Sequence, residues 1–295
     1  MGDGTTGGAR SLGDLIGRHG VFGGFPGADP ALLTEAAAEL AELGFGTVWL
    51  GHSTVEEAAP VVAAVGGITV GTAIQSIWRY GAADTAARFA ELEAAHPGRF
   101  VLGLGVSHPQ MVAGYRRPLA SMSGYLDELD AAGRPVPAGR RVLAALGPRM
   151  LGLAAERAAG ALPYLVTSAQ VAAARETLGT GPVLAPELGV VLETDPARAR
   201  ALAREALSFY LGLTNYTDNW LRGGFTAQDL SGGGSDRLVD ALFAWGDEDR
   251  VRARVDEFRA AGADHIAFQL IGGATEGGLP REGWRRLAAL TAAGD

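Results

Sequence analysis

From Gly20 onward the chain keeps one rhythm: a short apolar run rich in Val, Ile, Leu or Phe, then a longer Ala/Leu/Glu/Arg segment with helical spacing. Strands are expected at 20–25, 47–51, 69–74, 100–106, 141–146, 161–166, 187–192 and 265–269. Helices are expected near 30–43, 55–65, 82–96, 121–132, 150–159, 168–178, 196–213, 248–261 and 283–292. Asp29-Pro30, Ser121 and Asp195-Pro196 supply helix-start chemistry, and Gly44 and Gly262 stand where helices stop. Parallel strands need crossovers, so eight strand–helix units in one direction predict a (β/α)8 TIM barrel. A doubly wound sheet would want a G-x-G-x-x-G fingerprint after its first strand, and residues 20–25 do not supply it. One domain over 19–295 is expected, with residues 1–18, polar and Gly-rich, as a disordered start.

Composition removes several functions. All 25 basic residues are arginine and none is lysine, which excludes Schiff-base and pyridoxal-phosphate chemistry. There is no cysteine, hence no disulfide, thiolate nucleophile or zinc-thiolate site. The five histidines form no His-x-His or His-Glu-x-x-His pattern, so no metal site is expected. A net charge of −8 argues against a nucleic-acid partner. No run approaches the roughly 20 apolar residues of a membrane span, and a cytoplasmic protein is expected.

Residues 141–166 carry the strongest functional signal. An apolar strand meets the turn Gly147, Pro148, Arg149, then a helix and a second apolar run. Backbone N–H groups at such a helix start face an anion, the helix dipole favours negative charge, and a guanidinium adds to it. Two long connections interrupt the rhythm, 107–120 and an insertion at about 214–246 rich in Gly and aromatics. The insertion reads equally as a lid and as a cover sealing one edge of the barrel.

Taken in order, several segments resemble the luciferase-like family of flavin- and deazaflavin-dependent oxidoreductases. They are Gly44-Phe45-Gly46-Thr47-Val48-Trp49-Leu50-Gly51-His52, Gly71-Thr72-Ala73-Ile74, the run from Arg99 to His108, Ala145 to Met150, and Ala261-Gly262-Ala263-Asp264-His265. The pattern is most similar to the actinobacterial branch assigned to coenzyme F420, a 5-deazaflavin. The resemblance implies hydride transfer between the deazaflavin C5 and a small organic substrate. An FMN-dependent monooxygenase is the alternative, and a cofactor-binding protein without turnover is a second.

Residue by residue, the resemblance places a non-proline cis peptide at Ala73–Ile74, pressed against the middle ring of the cofactor. It places His52 where a sugar-phosphate dehydrogenase of the family has an active-site histidine, able to give or take a proton. His108 falls where those relatives carry an acidic glutamate, and Met111 where they have asparagine, so His108 either replaces the acid or touches substrate. Gly147, Pro148, Arg149 and Met150 match the cradle for the cofactor phosphate. Trp49, Val106 and Tyr164 are implied as further cofactor contacts. Gln75, Trp78 and Arg79, just beyond strand three, are expected to form a substrate wall. His265 is expected at the closed, stabilising end of the barrel, and a homodimer is expected from the family habit.

Overall fold

The computed structural model describes residues 10–23, 29–273, 275 and 278–292. Its sheet is parallel throughout, and eight strands form the barrel. Strands one to six are His19–Gly23, Thr47–Gly51, Thr69–Ala73, Phe100–Gly105, Arg141–Leu143 and Gly160–Ala161. Strand seven has two halves, Val183–Leu184 and Glu187–Val191, and strand eight is Ile266–Leu270. Its first half pairs with strand six and its second with strand eight, so one continuous segment closes the ring. Strand eight then pairs with strand one. The expected barrel is the observed one; the end of the first expected strand, Gly24 and Phe25, lies outside the described residues.

The layers follow from alternation along each strand. Leu40, Val61, Phe89, Phe100 and Phe258 are buried between sheet and helices. Inward-facing Trp49, Val101, Val142, Leu162, Ala185 and Ala267 fill the barrel itself. Two glycines make this possible. A Cβ at Gly71 would lie 2.4 Å from the Trp49 ring, and one at Gly103 would lie 1.9 Å from the carbonyl oxygen of Thr72.

The expectation of disorder through residue 18 is corrected from residue 10 onward; residues 1–9 lie outside the described residues. Ser11 caps a short helix, Leu12–Ile16, with a reciprocal capping box on Asp14. Its Leu12, Leu15 and Ile16 are buried against the barrel interior. Thr47 and Thr69 donate their hydroxyls to the carbonyls of Ile16 and Leu15. Apolar side chains inside a polar, Gly-rich sequence thus plug the N-terminal end.

The insertion is ordered rather than a bare loop. Helix Thr214–Arg222, helix Asp236–Leu242 and the strand Phe243–Trp245 bury Tyr216, Trp220, Leu238 and Phe243 in a separate apolar cluster with Leu165. Trp220 Nε1 donates to the Leu165 carbonyl at 3.0 Å, and Phe243–Trp245 pairs with the end of strand seven. No described helix is long and apolar enough to cross a membrane.

Candidate active site

The C-terminal ends of the strands open into one cavity of about 960 Å³, at the upper end of the size usual for a cofactor or drug-sized ligand. Strand ends supply Phe22, His52, Ala73 and Ile74, Gly105 to His108, and Leu162 with Tyr164. The turn Gly147–Met150 lies on one side, and Tyr210, Tyr216 and Arg222 reach in from the insertion side.

Local backbone aims the two histidines. His52 and Ser107 take left-handed conformations, φ 55° and 58°, immediately past strands two and four. Chains turn there over the barrel mouth, carrying His52 and His108 to the cavity. Desolvation by the walls lowers the pKa of His52, and the Arg79 guanidinium lowers it further. Desolvation also lowers that of His108, with a contribution from His52. Both are therefore neutral imidazoles at pH 7. His108 Nδ1 is buried and has no hydrogen-bond partner, and its ring lies 5.3 Å from that of Tyr216.

The Ala73–Ile74 peptide bond is cis, at the cavity and at the position the resemblance gave. Gly105 leaves room beside it, since a Cβ there would lie 2.6 Å from the Ile74 side chain.

At the opposite wall, helix Pro148–Arg157 begins at Gly147 with no side-chain cap. Pro148 has no N–H, and the Met150 N–H bonds back to the Gly147 carbonyl. Arg149 lines the cavity beside this turn. Two arginines not expected from the sequence join it, Arg117 at the start of helix Pro118–Ala131 and Arg222 at the end of helix Thr214–Arg222. A Cβ at Gly147 would lie 3.7 Å from the Arg222 guanidinium. Arg222 bonds only the Asn219 side-chain oxygen, at 3.0 Å, among the described residues. Several arginines elsewhere are tied to carboxylates, as Arg200 is to Asp240 at 2.9 and 2.6 Å. At the cavity the lining includes three arginines, Arg117, Arg149 and Arg222, and one acidic residue, Asp218.

Four expected contacts are elsewhere. Trp49 is fully buried in mid-strand, below the cavity, donating to His265. Gln75 points into the helical layer, where its side chain accepts from Val55 N and donates to Thr85 Oγ1. Trp78 props strand four from outside, donating to the Val106 carbonyl at 2.7 Å. Arg79 pairs with Glu57 and donates to the His52 carbonyl at 3.1 Å. None of the four lines the cavity. Just past strand three the chain makes a further short pairing with strand four at Gln75–Ser76, which turns these side chains away from the mouth. His265 is at the closed end, as expected: burial brings its pKa down to about 4.

Two observations could have flagged the missed residues. Tyr216 and Arg222 fall in the aromatic-rich insertion, six residues apart, and Arg117 precedes a helix-starting proline. The insertion is docked through Asn215 on the Ser107 carbonyl and Trp220 on that of Leu165.

The fold has wide company among solved structures. An F420-dependent secondary alcohol dehydrogenase in complex with an F420-acetone adduct superposes with a TM-score of 0.73 at 12% identity, over 94% of this chain and 98% of that one. The coenzyme F420-dependent tetrahydromethanopterin reductase from Methanopyrus kandleri gives 0.66 at 14% identity, over 92% and 97%. The oxygenating constituent of 3,6-diketocamphane monooxygenase from Pseudomonas putida, in complex with FMN, gives 0.68 at 13% identity, over 94% and 98%. Such identities establish the fold alone. No curated protein matches the chain by sequence. The family model for luciferase-like monooxygenases matches residues 15–129 and 115–265, and the chain belongs to that family of F420- or flavin-dependent oxidoreductases and monooxygenases.

Proposed function

We propose that the protein is an F420-dependent oxidoreductase acting on a small organic substrate. The observation that carries this reading is one cavity lined by two neutral histidines and three arginines, with an uncapped helix start at Gly147 among its walls. The residues fit the group. Arg149, Arg222 and Arg117, with the helix start at Gly147, suit a tail bearing a phosphate and further carboxylates better than a lone phosphate. The walls of Phe22, Ala73, Ile74, Leu146 and Leu162 would hold a flat ring system and exclude water. When bound there, the deazaflavin supplies hydride donation or acceptance at C5.

The chain's own part is orientation and the proton. His108 Nδ1 is the base with a free lone pair or proton in the cavity, and His52 stands close enough for its charge to oppose a charge on His108. Each therefore holds a proton reluctantly, which suits taking one from a substrate hydroxyl and releasing it. On this reading His108 takes the role that the relatives' glutamate would hold, with Met111 exposed at the cavity.

The test is a titration of the purified protein with coenzyme F420 and with FMN, oxidised and reduced, followed by fluorescence and calorimetry. Micromolar or tighter F420 binding with weak FMN binding is expected. Selective FMN binding would replace this reading with a flavin monooxygenase, and no binding of either would overturn the anion-site assignment.

A further inference from the structure

Besides its arginines the cavity has an aromatic wall formed by Phe22, Tyr164, Tyr210 and Tyr216, whose rings contact one another. Hydroxyl accounting on that wall is uneven. Tyr210 donates its hydroxyl to that of Tyr164 at 3.1 Å, and Tyr164 donates to Gln269 Oε1 at 2.8 Å. Both protons are committed. The Tyr216 hydroxyl makes no hydrogen bond with the protein among the described residues, and the residue lines the cavity. Its ring is fixed by neighbours on every side: 5.0 Å from Tyr210, 5.3 Å from His108, 5.9 Å from Trp220 and 6.1 Å from Tyr164.

Beside it, with ring centroids 5.3 Å apart, His108 Nδ1 is a buried polar atom without a partner. A buried donor or acceptor left unpaired is costly, and one that lines a cavity beside a phenol hydroxyl without a protein partner suits a ligand's polar group. From this pair we infer that Tyr216 and His108 bind the oxygen of an uncharged ketone or alcohol whose remaining body is flat and apolar.

The chemistry of each group supports that class. Desolvation keeps the Tyr216 phenol protonated at all working pH values, so it is a neutral donor. A neutral imidazole has one donor and one acceptor nitrogen, and Nδ1 serves a carbonyl in one tautomer and a hydroxyl in the other. The four side chains of the aromatic wall themselves carry no charge. A substrate carboxylate would find no cation on the wall. Tyr216 is thus the specificity-determining residue, and it sits on the insertion, not on a barrel strand.

The inference rests on the proposed reading for its place in a reaction, but its test does not. Cofactor-free protein is titrated calorimetrically with 2-acetylnaphthalene, with 2-isopropenylnaphthalene, which replaces C=O by C=CH2, and with 2-naphthoate. Wild-type protein is expected to bind the ketone at least tenfold tighter than the other two. Tyr216→Phe should lower ketone affinity to that of the hydrocarbon and leave hydrocarbon affinity within twofold. Tyr210→Phe, which removes a hydroxyl already committed, should leave the ketone preference in place. Three outcomes would overturn the inference: equal binding of ketone and hydrocarbon by wild type, preference for naphthoate, or equal losses in Tyr216→Phe and Tyr210→Phe. Failure of F420 and FMN to bind would sink the cofactor reading while leaving these results to decide Tyr216.

Discussion

Trp49 donates its indole N–H to Nε2 of His265 across 3.0 Å, while His265 Nδ1 bonds the Gly17 carbonyl at 2.8 Å. Because Nε2 accepts, the imidazole is the neutral tautomer protonated at Nδ1. The closed end of the barrel is therefore built on an uncharged histidine.

That arrangement has a pH consequence. Burial brings the folded pKa of His265 down to about 4, from 6.5 when free. Between these values the unfolded chain binds the extra proton, so the contribution to stability is full above pH 6.5 and is lost as pH falls toward 4. The whole effect is on the order of 3 kcal/mol. Urea unfolding at pH 7 and pH 4.5 should show a large loss for wild type. A His265→Gln variant, which keeps an acceptor and a donor, should show a smaller one; an equal loss in both would refute the assignment.

Glu187 gives the opposite slope. It faces the barrel interior with one oxygen accepting from Leu165 N–H at 3.1 Å and the other without a partner, and burial raises its pKa to about 8. The folded state therefore holds a proton that the unfolded chain releases above 4.5, and stability falls as pH rises from 4.5 to 8. Glu187→Gln keeps the acceptor for Leu165 and removes the titration. It should match wild type in thermal unfolding at pH 5 and exceed it by several degrees at pH 8.5, whereas Glu187→Ala should be less stable at both.

The barrel, its strand order and the helix start at Gly147-Pro148 were legible because each rests on a local pattern. Apolar runs mark strands, and Gly147-Pro148 marks a helix start wherever it is placed. The closed-end role of His265 was legible from its position before strand eight. What could not be read was side-chain direction past a strand end. Gln75, Trp78 and Arg79 follow strand three, yet the short pairing of Gln75–Ser76 with strand four turns them outward. Trp49 has the alternation of a barrel-lining residue, but sequence does not give depth, and it lies beneath the cavity. Arg117, Arg222 and Tyr216 were missed because long-range docking of the insertion brings them in. Ser11 and its helix were hidden by a Gly-rich context that masked three buried apolar side chains.

If the cavity arginines recognise the anionic cofactor tail, as proposed, the response to their removal is graded. A charge-assisted hydrogen bond is worth about 1.5–3 kcal/mol, so Arg149→Gln and Arg222→Gln should each weaken cofactor binding roughly tenfold to a hundredfold. Both should also flatten the dependence of affinity on salt, which reports lost charge rather than lost packing. Arg79→Gln, whose guanidinium faces Glu57 outside the cavity, should leave cofactor affinity within threefold. Loss in the Arg79 variant equal to that in Arg149→Gln would return Arg79 to the binding site.

The two histidines carry the last prediction. Both have pKa values below 6.5, so both are bases over most of the physiological range. If they take a proton from substrate, kcat/KM for substrate oxidation should be level near pH 7 and fall below a pKa under 6.5, as the imidazoles become charged. Replacement of His108 by alanine should remove a base worth about a hundredfold or more in rate and abolish that acid limb. His52→Ala should cost a comparable factor if it, too, moves the proton. If instead it acts on His108 through charge, the limb should shift to higher pH with only a small loss of rate, because a cationic His52 no longer opposes protonation of His108. The pH profile of His52→Ala separates the two roles, and a profile unchanged in both position and height would remove His52 from the mechanism.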